Sequence, residues 1–305
     1  MTTPGGHLGP VLGATVLVKD ADAAARTYQK YLGYVRDSGG EISDELATAW
    51  AAPKMAGREY VWMRPESGEP GWLRFVEGEA PVGYRPLAST GWSAIEIVVE
   101  NTPELAKRLK AAGSPFTVIG EPKPLGSYPD IVAMQVIGPD GEVLYLTNVP
   151  PGHGKHDIPS AKCFVDRIFI VVLAVPDFAA NLADYKTRFG LTQVSDHARG
   201  INFQGPTWGM AMPDFAQLKM ATLQLAGKSV IQVDQYTKGA PPRPTAAGQL
   251  PAGFAMTTFA VPSLAPHRTG LIGPVTRPDG APYGGRETGV VRAPGGELIE
   301  LVAAT

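Results

Sequence analysis

An internal repeat relates the two halves of this chain and constrains its fold more than any other feature. Three residues of the first half recur 157 positions later (177 − 20, 185 − 28 and 190 − 33): Asp20, Tyr28 and Gly33 correspond to Asp177, Tyr185 and Gly190. A Pro-Asp-Gly-Glu turn at 139–142 recurs 155 positions later (294 − 139) as Pro-Gly-Gly-Glu at 294–297, and an apolar segment follows each turn. Because the offset drifts by only two positions, we infer a duplicated unit of about half the 305 residues.

A helix is predicted near the start of each half. In the second half, apolar residues lie at i, i+4, i+7 and i+11 from Phe178, which is the spacing of one helix face. Asp20 and Asp177 precede the two helices as candidate N-caps. Gly33 and Gly190 follow them, where glycine accepts the left-handed conformation of a C-cap.

A weaker repeat lies inside each half and gives the fold class. The strand 95–99 precedes a helix that Gly113 closes, and the strand 259–261 precedes a proline-shortened helix at 263–270. Further strand candidates are 60–64, 72–76, 132–137, 220–226, 230–236 and 288–292. The order strand, helix, three strands thus occurs four times, which predicts an α+β fold of four βαβββ modules.

The domain organisation follows from these repeats. We predict an N-terminal domain at 1–150 and a C-terminal domain at 163–305, each containing two modules. Between them, 151–162 is polar and rich in proline and glycine, which is typical of a linker. The linker contains His153 and His156, and its prolines and glycines favour a solvated segment over a metal-binding helix.

Composition limits the classes of partner. Hydrophobic residues make up 44% and charged residues 18%, as in globular proteins. The net charge is −2 and the basic residues are scattered along the chain, which argues against nucleic acid or an anionic membrane as the main partner. Apolar runs are strand-sized, residues 1–9 lack a signal-peptide pattern, and Cys163 is the single cysteine. We therefore expect a cytoplasmic monomer or homodimer without membrane segments.

Four βαβββ modules in tandem resemble the vicinal oxygen chelate superfamily, which includes glyoxalases, bleomycin-resistance proteins and extradiol dioxygenases. The segment 18–33, with its Val-Lys-Asp start and its Tyr-Leu-Gly end, is similar to the opening strand and helix of that family. The turns at 138–141 and 293–296 are similar to its final hairpin. The resemblance implies that paired modules form open barrels whose inner face holds a divalent metal, bound typically by histidines and glutamates of the first, fourth, fifth and eighth strands.

Counting from the helix caps places these four ligand positions in each half. In the first half they are Gly13, Arg74, Ala94 and Tyr145, and in the second they are Ile170, Gln232, Met256 and Glu300. Only Glu300 keeps a residue type of the implied ligand set, and a cationic Arg74 would repel a divalent ion. We expect a degenerate metal site and no cofactor, with Fe, Mn, Ni or Zn held by displaced ligands as the alternative.

Successive side chains of a strand point to opposite faces, so residues two positions from a ligand position are expected to line the same cavity. We expect adjacent modules to pair, which places Arg74, Trp72, Glu96 and Tyr145 together. Arg74 would bind an anionic oxygen, Glu96 would act as general base, and Tyr145 would donate to an oxyanion. The alternative is that Arg74 and Glu96 neutralise each other and that Tyr145 belongs to the core.

The second cavity is expected to contain Gln232, Met256, Thr258 and Glu300. Gln232 would hold a substrate oxygen, with Met256 and Thr258 beside it. Glu300 would be a general base, a vestigial metal ligand, or a carboxylate satisfied by a backbone amide, because an unpaired buried carboxylate is costly.

Three functions remain open after these placements. The first is a metal-independent lyase, isomerase or enolising enzyme for a small carboxylated or aromatic compound. The second is a non-catalytic protein that binds or sequesters a small molecule or antibiotic. The third is a metal-dependent glyoxalase or extradiol-type dioxygenase with displaced ligands.

Overall fold

The computed structural model describes residues 8–125, 128–152, 158–200, 217–236 and 240–304, and no side chains of 196–200 or 217–218. The helices are α1 (Ala21–Leu32), α2 (Asp44–Ala49), α3 (Thr102–Leu109) and α4 (Phe178–Phe189), with 3-10 helices at Pro53–Met55 and Ala265–Gly270. The strands are β1 (Val11–Val18), β2 (Val35–Glu41), β3 (Glu59–Arg64), β4 (Trp72–Glu77), β5 (Gly91–Val99), β6 (Thr117–Leu125), β7 (Tyr128–Ile137), β8 (Val143–Asn148), β9 (Val165–Val175), β10 (Thr192–Gly200), β11 (Gln217–Leu225), β12 (Ser229–Gln235), β13 (Gly253–Val261), β14 (Thr288–Arg292) and β15 (Leu298–Ala303). In this part of the chain, every helix is too short or too polar to cross a membrane.

The strands form a seven-stranded sheet, in the order β14-β15-β13-β1-β4-β3-β2, and an eight-stranded sheet, in the order β10-β11-β12-β9-β5-β8-β7-β6. The first module therefore pairs with the fourth through β1 and β13, which run antiparallel. The second module pairs with the third through β5 and β9, also antiparallel. Each sheet contains strands from both 1–150 and 163–305.

The pairing of adjacent modules expected from the sequence is therefore wrong. The spacing of motifs along the chain defines the four modules but does not show which modules pair. The first strands of the modules are all buried and mostly apolar, so their sequences do not select one partner: β1, β5, β9 and β13. The third module continues the sheet that the second begins, since β9 lies next to β5. As a result, Arg74 and Glu96 lie in different sheets, since Arg74 is on β4 and Glu96 on β5.

The predicted helix caps are confirmed. Asp20 accepts a hydrogen bond from the Ala23 amide at 2.7 Å, and Asp177 accepts one from the Ala180 amide at 3.0 Å. Gly33 has a left-handed φ of 75°, as a glycine C-cap requires. The fourth module has only a 3-10 helix, Ala265–Gly270, in agreement with the shortening expected from its prolines.

Three strands, one α-helix and the 3-10 helix Pro53–Met55 were not predicted from the sequence. β2 is largely exposed and contains two glycines and three charged residues, so it lacks the alternation that identifies a strand. β6 and β10 are likewise polar strands, and all three lie at sheet ends. The missed helix is α2, whose N-cap is Ser43.

One buried apolar cluster joins the two sheets. Trp92 on β5 lies 6.3 Å from Phe259 on β13, measured between ring centroids, and its indole donates to the Leu298 carbonyl at 2.8 Å. Helices α1, α3 and α4 contribute to the same cluster. We call the sheet face turned away from these three helices the inner face.

Two buried tyrosine-to-glutamate hydrogen bonds connect the modules across the sheets. Tyr28 on α1 donates to Glu142 at 2.8 Å, and Tyr185 on α4 donates to Glu297 at 2.8 Å. Each glutamate is the last residue of the repeated turn found in the sequence. A Cβ atom at Gly138 would lie 1.9 Å from the Glu142 carboxylate, so this glycine leaves the space that the carboxylate occupies.

These two glutamates predict a pH-dependent stability. Burial raises the pKa of Glu142 to about 7 and that of Glu297 to about 6. The folded state then favours the protonated form, so the stabilisation is complete below the ordinary carboxyl pKa and is lost as the pH rises through these values. We expect the free energy of unfolding, measured with urea, to fall by about 1–3 kcal/mol between about pH 5 and about pH 8.

The matched variants for this experiment are Glu142→Gln and Glu297→Gln, which keep an acceptor for each tyrosine but do not titrate. Both together are expected to flatten the pH dependence, whereas Glu121→Gln at an exposed position leaves it unchanged. An unchanged slope in the double variant would show that other groups cause the effect.

Candidate functional site

The inner face of the seven-stranded sheet contains a buried ion pair between Arg74 and Glu300. Arg74 Nη2 lies 3.1 Å from Glu300 Oε2, and the two side chains are 1% and 0% exposed. Thr258 donates to the same carboxylate oxygen at 2.7 Å. Arg74 also donates to Thr15 Oγ1, from Nε at 2.9 Å and from Nη2 at 2.7 Å, and to the Tyr283 hydroxyl from Nη1.

Aromatic rings adjoin this pair. The Arg74 guanidinium carbon lies 4.5 Å from the Trp50 ring centroid and 4.8 Å from that of Trp62, so both indoles are within cation–π distance. The Trp50 indole donates to Glu300 Oε1 at 2.9 Å, and the Tyr283 hydroxyl lies 3.1 and 3.2 Å from the two carboxylate oxygens. Burial would lower the pKa of Arg74, but Glu300 and Tyr283 outweigh it and raise the pKa.

The insert between β2 and β3 fills the remainder of this face. Its residues Leu46, Trp50 and Met55 form one buried cluster with Leu17, Val76, Met256 and Leu298. A Cβ atom at Gly13 would lie 2.8 Å from the Trp62 ring, which explains why the predicted first-strand ligand position lacks a side chain. The corresponding insert of the eight-stranded sheet, 201–216, lies outside the described residues, as do the linker histidines His153 and His156.

The structure thus brings together some of the predicted site residues and separates others. Arg74, Thr258 and Glu300 meet, although the predicted pairing of adjacent modules places Arg74 in a different cavity from the other two. Met256 belongs to the apolar cluster, and Trp72 packs edge-on against Trp62 at 6.4 Å. The carboxylate of Glu300 is satisfied by side chains and not by a backbone amide, and Arg74 is neutralised by Glu300 and not by Glu96.

Sequence reasoning missed Thr15, Trp62 and Tyr283 in this network. Thr15 lies two residues beyond the position chosen on β1, and Thr258 two beyond the position chosen on β13, because the count from the caps was two residues too long. A signal for Thr15 was its position on the same strand face as Gly13. Tyr283 lies in the irregular segment between the 3-10 helix and β14, where strand periodicity gives no information.

A row of side chains crosses the inner face of the eight-stranded sheet. Glu96 on β5 is paired in register with Tyr145 on the parallel strand β8 and with Ile170 on the antiparallel strand β9. Tyr145 is in turn paired with Gln135 on β7. Neighbouring strands lie about 4.8 Å apart, so the carboxylate-bearing and phenol-bearing residues are immediate neighbours.

Further polar groups adjoin this row. Thr147, two residues beyond Tyr145 on β8, donates its hydroxyl to Glu96 Oε1. On β12, the Gln232 amide nitrogen donates to both carboxylate oxygens of Asp234, at 3.0 and 3.1 Å. Ile170, Gln135 and Gln232 are half-buried, whereas the equivalent layer of the seven-stranded sheet is closed.

The strand register shows which residues occupy equivalent positions on the two inner faces. The layer of Thr15, Arg74, Thr258 and Glu300 in the seven-stranded sheet corresponds to Val172, Gln232, Glu96 and Tyr145 in the eight-stranded sheet. Glu96 therefore lies at the fifth-strand position and Tyr145 at the eighth. Glu96, Tyr145 and Gln232 come together on one face, and Arg74 is absent from it.

Neither layer offers a donor set that fits the divalent metal of the resembled family. In the seven-stranded sheet, the Arg74 guanidinium donates to the only carboxylate of its layer. In the eight-stranded sheet, the layer provides one carboxylate, one amide, one phenol and a valine. Within the described ranges, three or more His, Cys, Asp or Glu side chains do not converge. The residues present are thus a poor match to the histidine and carboxylate ligands that Fe, Mn, Ni and Zn favour.

Comparison with solved structures reveals the same fold at low sequence identity. Glyoxalase I from Zea mays superposes with a TM-score of 0.64 at 16% identity, covering 96% of this chain and 92% of that one. A dioxygenase candidate from Bacillus subtilis superposes with a TM-score of 0.62 at 16% identity, covering 97% and 86%. No family model and no curated protein matches the sequence. The likeness confirms the fold predicted from the four modules: the chain has the fold of the vicinal oxygen chelate superfamily.

Proposed function

We propose that the inner face of the eight-stranded sheet binds a small organic molecule and that Glu96 and Tyr145 transfer protons on it without a metal. The supporting observation is the adjacency of Glu96 and Tyr145 on a face that is partly open, whereas the matching face of the other sheet is filled. Partial exposure gives a ligand access to Ile170 and Gln232. Small-molecule sites in proteins combine such apolar walls with a few converging polar groups.

The chemistry that suits this pair is enolisation followed by isomerisation or elimination. The Glu96 carboxylate would accept a proton from carbon next to a carbonyl, while the Tyr145 hydroxyl donates a hydrogen bond to the developing oxyanion. Thr147 holds one oxygen of Glu96, which fixes the carboxylate orientation. The product forms when the proton returns to a different atom or a leaving group departs.

Binding without chemistry is the second candidate, and an apolar patch favours it. Ala94, Val143 and Val172 form a buried cluster around Tyr145, with Ile137 and Ile170 packed against it. Such a surface holds an aromatic compound without requiring proton transfer. The two candidates share the binding site and differ in whether a bound compound is converted.

The binding site can be tested by a thermal-shift screen of small carboxylates, phenols and neutral carbonyl compounds. A compound that binds only the folded state raises Tm by mass action. We expect Gln232→Trp to block the inner face and abolish these shifts. Gln235→Trp, on the same strand but pointing to the other face, is expected to retain them.

Retention of every shift by Gln232→Trp would place the binding site elsewhere. Metal analysis of the purified protein tests the remaining part of the proposal. Stoichiometric Fe, Mn, Ni or Zn would contradict metal-independent chemistry and favour a glyoxalase or dioxygenase mechanism with displaced ligands.

A further inference from the structure

We propose that the inner face of the seven-stranded sheet is a guanidinium-binding site whose ligand is the chain's own Arg74. The seven-stranded sheet would thus hold a cation that is part of the chain itself, instead of an exchangeable cation. The inference is independent of what the eight-stranded sheet binds.

Every nitrogen atom of the Arg74 guanidinium has a hydrogen-bond acceptor. The acceptors are Thr15, Tyr283 and Glu300. The stem enters from β4, while Trp50 and Trp62 lie close to the guanidinium carbon. A planar cation with several N–H donors along its edges fits these three acceptors, whereas a metal ion has no hydrogen bond to donate to the Thr15 and Tyr283 hydroxyls.

The buried carboxylate of Glu300 needs a positive charge. Glu300 is completely buried, and its other hydrogen-bond partners, Trp50, Thr258 and Tyr283, are neutral. Arg74 is therefore the charged group that compensates this carboxylate within the described part of the chain. A filler side chain of similar volume would occupy the space but would leave the charge unpaired.

The equivalent layer of the eight-stranded sheet contains a carboxylate but no cation. There Gln232 is the register equivalent of Arg74 and Tyr145 that of Glu300, while the carboxylate of Glu96 occupies the position of Thr258 and accepts a hydrogen bond from Thr147. The cation at the fourth-strand position thus occurs in the layer whose eighth-strand position holds a carboxylate.

Chemical rescue tests this proposal. Arg74→Ala removes the cation and opens a cavity, so Tm is expected to drop sharply. Guanidinium chloride at about 10 mM, far below denaturing concentrations, is expected to restore at least half of the lost Tm with saturation. Sodium chloride and urea at the same concentration should not do so, and wild type should not respond. Glu300→Gln in the Arg74→Ala background is expected to abolish the rescue.

A second pair of variants covers the case in which Arg74→Ala does not fold. Arg74→Met leaves Glu300 unpaired, and adding Glu300→Gln should recover solubility and Tm because it removes the uncompensated charge. If Arg74→Met/Glu300→Gln is no better than Arg74→Met alone, Arg74 acts as a packing residue and the proposal is wrong. Equal effects of guanidinium and sodium chloride on Arg74→Ala would overturn it as well.

Discussion

Glu300→Ala is expected to lower the free energy of unfolding by about 3–5 kcal/mol, because it leaves the Arg74 guanidinium buried without its counter-ion. The variant also removes acceptors from Trp50, Thr258 and Tyr283, each of which then keeps a buried donor without its partner. Every lost acceptor adds to the cost, since a buried unsatisfied polar group is unfavourable. Urea denaturation at neutral pH measures the change.

The matched control is Glu121→Ala, which removes an ion pair of similar length at the surface. Lys110 Nζ lies 3.1 Å from Glu121, and the two side chains are 50% and 56% exposed. Such a pair contributes about 0–1 kcal/mol because water and salt screen it. If the two variants unfold at the same urea concentration, the buried network does not stabilise the fold as argued.

The sequence predicted the modules well because their signals are local. An aspartate N-cap, an amphipathic helix and a glycine C-cap are all encoded within about fifteen residues, and Asp20, Gly33, Asp177 and Gly190 adopt the predicted roles. The final hairpins were recognised in the same way. Edge strands such as β2 escaped because an exposed strand does not need apolar alternation.

The partners of the site residues were not predictable by the same reasoning. Arg74 and Glu300 were each identified, but 226 positions separate them and their meeting depends on which modules pair. The first module pairs with the fourth through β1 and β13, and the second with the third through β5 and β9. These apolar strands resemble one another, so the sequence does not distinguish the observed pairing from the alternatives. Charge offers a further criterion: β15 is apolar except for Glu300, β4 carries Arg74 among apolar neighbours, and burying these two charges is less unfavourable when they meet.

This meeting changes the interpretation of both residues. Taken separately, Arg74 suggested an anion-binding cavity and Glu300 a vestigial metal ligand or general base. Paired at 3.1 Å and almost completely buried, they compensate each other's charge and are shielded from solvent. The functional interest therefore moves to Glu96, Tyr145 and Gln232, on the face where the charged pair is missing.

Glu96→Gln is expected to reduce turnover of a converted compound by about 10²–10⁴-fold, because an amide cannot accept the proton that a carboxylate removes. Gln has nearly the same shape and still accepts the hydrogen bond from Thr147, so the affinity for the ligand should change little. Tyr145→Phe removes the donor to the oxyanion and is expected to lower kcat by about 10²–10³-fold. Both variants can be compared with wild type by steady-state turnover and by calorimetric titration of the same compound.

The combination of these measurements separates the proposed functions. Lost turnover with retained affinity in Glu96→Gln identifies Glu96 as a base, because only an interaction made in the transition state behaves in this way. Full turnover in Glu96→Gln would show that the proton goes to another group. If wild type binds a compound tightly but never converts it, and both variants bind it equally well, the eight-stranded sheet sequesters its ligand. In that case Glu96 and Tyr145 shape the binding face, and the likeness to enzymes such as glyoxalase I extends to the fold alone.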